Sequence, residues 1–234
     1  MAYGIKVEVW GDRALFTRPE LSVERMTYDV ITPSAARGIL ESIYWHPGMR
    51  YKIDRIYVLN PIKFTSVRRN EVKSKALSSA VRTTITKGGQ LPYIDAHADI
   101  QQRASVMLTD VRYVIEAHFD MTDRASKQDN PGKFKDILMR RLRRGQFYSA
   151  PYLGTRECSC YVQEWSGGDP HKESYYAPEE CRDLGLMLYD MDYSDVDAQG
   201  IAQNITPMFY RAIMRHGAID VAGSEVFGNA QSSC

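Results

Sequence analysis

The chain has 234 residues, 44% of them apolar and 25% charged, with 30 Lys and Arg against 29 Asp and Glu. Those proportions support a sizeable core and exclude a disordered or collagen-like chain, and no run reaches the roughly 18 apolar residues of a membrane-spanning helix. The net charge of +1 conceals a polarity: residues 1–165 carry 26 Lys and Arg against 18 Asp and Glu, and residues 166–234 carry 4 against 11, which suits a polyanion bound on one side.

The N-terminus has no apolar signal segment, so a cytoplasmic protein without a membrane anchor is expected. "IKVEVW" (5–10) alternates Ile5, Val7 and Val9 with Lys6, Glu8 and Trp10, the period of a half-buried strand. Thr32 and Pro33 form a helix start, and Ala36, Ile39, Leu40 and Ile43 give it an apolar stripe. That helix is expected to run through Tyr44, Trp45 and His46 to the stop at Pro47-Gly48. Residues 50–67 read as strand interrupted near Asn60-Pro61, and 68–103 as a short helix or a basic loop. Residues 104–121 form a long strand.

A second helix begins at Asn130-Pro131, buries Phe134, Ile137, Leu138 and Leu142, and ends at Gly145. "ECSCYVQEW" (157–165) is a further strand. Beyond it, strands such as "LGLMLYDMDY" and a helix around "PMFYRAIMRH" are expected. Strand, helix, strand, strand, helix, strand is the βαββαβ order of a ferredoxin-like (RRM-like) fold. The fold class is therefore α+β: a ferredoxin-like RNA-binding and catalytic domain over 1–165 and a small antiparallel β-rich domain over 166–234. Cys158, Cys160, Cys181 and Cys234 form no C-x-x-C pair, so free thiols are expected and a zinc site is not.

The second helix carries Lys133, Lys135, Arg140, Arg141, Arg143 and Arg144 within twelve residues, opposed by Asp136 alone. An external polyanion is a reasonable counterpart, although a solvated face satisfies the same pattern. Tyr148 and Tyr152 follow in a glycine-bearing loop and can stack on bases. If both helices cover one face of the sheet, Tyr44 at the end of the first comes near Lys133 at the start of the second. The ammonium then favours phenolate. A phenolate accepts a proton from a ribose 2′-hydroxyl, which attacks the adjacent phosphate while the lysine offsets developing charge. No metal or cofactor is needed for this chemistry. His46 could protonate the leaving oxygen, although from the residues alone a plain loop histidine is the favoured reading. His97 lies between two aspartates in "DAHAD", a weak metal-like pattern; His118 falls on the strand face opposite Ala117 and Phe119, lining the sheet surface or simply exposed, and His171 and His216 form no constellation. No Walker loop, G-x-G-x-x-G, H-E-x-x-H or G-x-S-x-G is present.

"VEVWGDRALFTRPE", "GILESIYWHP" and "YLGTREC" resemble the type I-C (Dvulg-subtype) "Cas five" family of CRISPR systems over nearly the whole chain. The resemblance implies a ferredoxin-like domain followed by a smaller β-rich one. It also implies metal-independent cleavage of the precursor CRISPR RNA repeat hairpin to a 2′,3′-cyclic phosphate, with retention on the 5′ handle beside other type I-C surveillance-complex subunits. The family's catalytic tyrosine falls on Tyr44 and its lysine, in "GKH", on Lys133 of "GKF". Its histidine falls on Phe134, which transfers no proton. Either His46 supplies the imidazole, or Lys133 does both jobs, or cleavage is weak. The alternatives are a subunit that binds the 5′ handle without cutting, and a basic surface that binds double-stranded DNA or supports metal-dependent nuclease activity.

Overall fold

The computed structural model describes residues 4–21, 23–196 and 202–228 of the chain, so Cys234 lies outside them. The architecture is α+β, a large antiparallel sheet with few helices. Its elements are β1 (Ile5–Ala14), β2 (Arg25–Met26), α1 (Pro33–Ile43), β3 (Met49–Val58), β4 (Phe64–Val72), α2 (Ser78–Lys87) and β5 (Ile100–Met121). They continue with α3 (Pro131–Arg144), β6 (Tyr161–Glu164), α4 (Pro170–Glu173), β7 (Arg182–Val196), β8 (Ala202–Arg215), β9 (Ala218–Asp220) and β10 (Val226–Phe227).

Both expected helix starts form. Thr32 Oγ1 accepts from Ala35 N at 3.2 Å, and Asn130 Oδ1 accepts from Lys133 N at 2.8 Å, each satisfying an otherwise orphaned amide. Gly145 closes α3 at φ +60 with its amide on the Arg141 and Leu142 carbonyls, a left-handed position where a Cβ is disfavoured. The buried face of α1 is Pro33, Ala36, Ile39, Leu40 and Ile43; that of α3 is Phe134, Leu138, Met139 and Leu142. These pack with Val7, Val9, Ile115 and Ala117 of the sheet in one continuous core.

The strands follow the order β10-β8-β9-β3-β5-β1-β6, with β4 and β2 on β5 and β7 on β8. β5 is long enough to serve two partners on one side: its first half pairs with β4 (Leu108↔Phe64), its second with β3 (Ile115↔Ile56). β9 hydrogen-bonds β3 (Ile56↔Ile219), so the C-terminal strands extend the same sheet. Met187, Tyr210, Met214 and Val221 belong to the same core as Val9 and Leu40. A bidentate ion pair from Arg37 of α1 to Asp190 of β7 crosses the same join. No helix among the described residues is long and apolar enough to cross a membrane.

Three local expectations change. The segment "PMFYRAIMRH" is not a helix but most of β8. Tyr210, Ala212 and Met214 are buried while Arg211 and Arg215 are exposed, a period of two, and pairing with β7 overrides helical propensity. The turn that follows, His216-Gly217, has positive φ at both residues, as a tight hairpin requires. The first helix stops at Ile43, short of the aromatic trio. Tyr44 is extended (φ −152, ψ 126), and its carbonyl accepts from Tyr51 Oη at 2.7 Å, a tertiary bond that replaces another helical turn. The strand expected over 157–165 shrinks to β6, because Cys158 and Ser159 pair instead with Leu153 and Tyr152 in a local hairpin. In the 68–103 segment β4 and α2 form, and α2 buries no residue.

Candidate active site at the junction of the two main helices

Extended backbone at Tyr44 turns its ring toward α3. The residue is 7% exposed. Its ring lies 6.3 Å from that of Phe134 and 5.1 Å beneath the Arg141 guanidinium, and Arg141 Nη1 also donates to the Ile43 carbonyl at 2.7 Å. The Tyr44 hydroxyl has no protein partner among the described residues, yet it is not among the buried unpartnered atoms, so its oxygen reaches solvent.

Lys133 lies in the first turn of α3, beside the positive end of the helix dipole, where phosphate is favoured. Its Nζ donates to Asp129 Oδ1 at 2.8 Å. The Asp129 side chain is only 3% exposed, and Ser126 N also donates to it. The bonds from Lys133 and Ser126 hold the Asp129 carboxyl well below the usual carboxylate range. Lys133 and Asp129 are both near enough to act electrostatically on Tyr44, while the side chains in direct contact with its ring are Phe134 and Arg141.

The expected effect on the phenol does not follow. Burial pushes Tyr44 above its ordinary value; Lys133 and Arg141 pull it down, Asp129 pushes it up, and the net direction is up. Partial neutralisation of Lys133 by Asp129 and the cost of a buried phenolate together outweigh the cations.

The His46 ring lies tilted against Phe134 at 5.1 Å between ring centres, and its Nδ1 accepts from Gly48 N at 3.0 Å. That bond assigns the neutral ring as the Nε2–H tautomer. Phe134 is 0% exposed, wedged between Tyr44 and His46, and fills the position where the resemblance implies a histidine.

The remaining cations are spread around α3. Arg140 and Arg144 are exposed and Lys135 half-buried, none with a hydrogen bond or ion pair among the described residues. Arg143 pairs with Glu164 at 3.0 Å. Tyr148 is 87% exposed on the loop after α3, which docks through the Tyr148 and Ser149 amides on the Ser42 carbonyl; Tyr152 is also exposed. Among the described residues no group of three or more His, Cys, Asp or Glu is placed to hold a metal ion.

A family model described as CRISPR-associated protein (Cas_Cas5) matches residues 4–222. The chain belongs to the CRISPR-associated Cas5 family. A relative named CRISPR pre-crRNA endoribonuclease Cas5d, from Mannheimia succiniciproducens, is 44% identical across 94% of this chain and 96% of its own. Another of the same name, from Thermus thermophilus, is 37% identical across 93% and 90%. Among solved structures, a functionally uncharacterized protein of Streptococcus mutans superposes with a TM-score of 0.64 at 25% identity. A structure titled as a CRISPR-associated protein does so with 0.64 at 24%. Each comparison covers 97% of both chains.

One residue of this Cas5 site escapes sequence reasoning, and another changes place: Arg141, expected with the other helix cations on the RNA backbone, lies over the Tyr44 ring, seven residues beyond Phe134 and two helical turns along the same face. Asp129 precedes the helix in a polar loop, and only its placement four residues before Lys133 hints at the ion pair.

Proposed function

We propose that this Cas5 chain is a metal-independent endoribonuclease that cuts the repeat hairpin of precursor CRISPR RNA, remains on the 5′ handle, and serves as a subunit of the type I-C surveillance complex in the cytoplasm. What supports it is a solvent-reaching Tyr44 hydroxyl on a ring 5.1 Å from the Arg141 guanidinium near the end of a cationic helix, with Lys133 in the first turn of that helix acting on the phenol electrostatically. The two relatives named pre-crRNA endoribonucleases, aligned over nearly full length, support the substrate.

In this reading Tyr44 takes the proton of the ribose 2′-hydroxyl. The 2′-oxygen bonds to phosphorus and the phosphorus–5′-oxygen bond breaks, leaving a 2′,3′-cyclic phosphate. Lys133, with the α3 amides, stabilises charge on the non-bridging oxygens. His46, through Nε2, gives the leaving 5′-oxygen its proton; the imidazolium this requires gives up the bond from Gly48 N. Arg140, Arg144 and Lys135, with Arg143 where Glu164 releases it, hold backbone phosphates. Tyr148 and Tyr152 stack on bases.

The fold supports a finer reading. The order β6-β1-β5-β3, with α1 and α3 as the crossovers, is that of a ferredoxin-like domain with β4 and α2 inserted between its second and third strands. A functional division into 1–165 and 166–234 is supported by the opposite charge of the two parts. The test is incubation of repeat RNA in EDTA with analysis of product ends: site-specific cutting to a cyclic phosphate is expected. Binding without cutting would favour the second reading, a non-catalytic 5′-handle subunit, which the phenylalanine at 134 favours. Cutting only with added divalent metal, or tight binding to double-stranded DNA alone, would favour the third.

A further inference from the structure

Trp45 follows Tyr44 on extended backbone, so its side chain leaves on the opposite side. It is 58% exposed and lines a separate cleft of about 400 Å³ whose charged groups are Arg37, Arg50 and Arg124 against Glu41 and Asp123. The walls are fixed to one another. Thr122 Oγ1 donates to the Pro47 carbonyl at 2.6 Å and Thr122 N to the Gly48 carbonyl at 3.1 Å. A Cβ at Gly48 would lie 2.8 Å from Ala125 Cα, so glycine permits the two turns to touch. Arg50 and Arg124 are exposed, and neither guanidinium has a hydrogen bond or ion pair among the described residues. Glu41 at the side of the cleft has one ion pair, to Arg37 Nε at 3.5 Å, while Arg37 itself is held by Asp190. Burial and the Asp190 carboxylate push the half-buried Glu41 carboxyl up, against the pull of Arg37 and Arg50.

An exposed indole, two unengaged guanidiniums and a recessed carboxylate acceptor match a nucleobase, its two flanking phosphates and an exocyclic amino group. We propose that this cleft binds one unpaired, amino-bearing base of the RNA next to the scissile phosphate, stacked on Trp45, with Arg50 and Arg124 on its phosphates and Glu41 on its edge. The placement next to the scissile bond rests on the strand-cutting reading above: a strand crossing the Tyr44–Trp45 backbone presents its phosphate to Lys133 on one side and a neighbouring base to the cleft on the other.

The test uses the full chain and repeat RNA carrying a 2′-deoxyribose at the mapped cleavage nucleotide, or unmodified RNA if none is cut. Binding of a series with single abasic positions is measured for wild type, Trp45→Ala and Trp45→Phe. Trp45→Ala is expected to weaken binding of the intact RNA about fivefold or more and Trp45→Phe less, at an unchanged melting temperature. One abasic position beside the cleavage phosphate is expected to abolish the difference. Equal binding by all three proteins, a loss that is the same for every abasic RNA, or a loss abolished only at a distant position would overturn the proposal. If wild type cuts nothing while the Trp45 pattern persists at a single position, strand scission falls and the base cleft stands.

Discussion

In the proposed mechanism Tyr44 is a base whose proton is hard to remove. Burial holds the phenol up despite Lys133 and Arg141, so the phenolate is scarce in the resting protein at neutral pH. Because the pKa is raised, the active form gains with alkalinity. In a His46→Ala variant, which lacks the proposed acid, single-turnover cleavage is expected to climb roughly tenfold per unit from about pH 7 to about pH 9, and a rate flat over that window in this variant would contradict the assignment. The leaving-group side is the weaker half of the site. Phe134 touches both Tyr44 and His46, so Phe134→His puts an imidazole against the phenol and the existing histidine. The variant is expected to raise the rate at least tenfold at neutral pH and to melt lower because a buried apolar ring is lost. A pH–rate profile alongside a melting curve checks both. The proposal that Tyr44 and Lys133 carry the chemistry comes from motif and helix spacing. That Asp129 offsets the lysine is not, because an ion pair made across a helix cap depends on loop geometry that no periodicity encodes.

Helix α3 positions the lysine through its cap. Asn130 Oδ1 accepts from the amide of Lys133 itself, so Asn130→Ala is expected to cost about 1 kcal/mol of stability. It should also slow cleavage several-fold more than it weakens RNA binding, because the loosened residue is the one facing the phosphate; a change in rate and dissociation constant by the same factor would contradict this. The starts of α1 and α3 are legible from Thr32-Pro33 and Asn130-Pro131 because capping is a local interaction. β8 is not, since "PMFYRAIMRH" satisfies a helical stripe as well as an alternating one, and only β7 and β9 on its two sides decide between them. The end of α1 is misread for a related reason: Tyr51, seven residues on, claims the Tyr44 carbonyl.

The sheet as a unit carries phenols and thiols that burial keeps neutral. Tyr57 is pushed up to about 12 by burial and its bond to Glu116, and the Cys160 thiol up to about 12 by burial alone. Tyr51, Tyr113 and Tyr210 are raised further by burial. A group raised in the folded state contributes stability that is intact below its unfolded value and lost as pH rises toward the folded one. The urea midpoint is therefore expected to hold to about pH 9 and then fall steadily to about pH 12; a midpoint constant across that range would contradict the burial of these groups. The polarity between residues 1–165 and 166–234 is plain in composition, but the single sheet that joins them through β9 and β3 is not, because that pairing links strands separated by more than 150 residues. The most direct test is Tyr44→Phe against wild type on repeat RNA in EDTA, with cleavage rate and dissociation constant measured on the same preparation. A rate at least a hundredfold lower with binding unchanged to within about threefold is expected; equal rates would show that the phenol takes no proton in this protein.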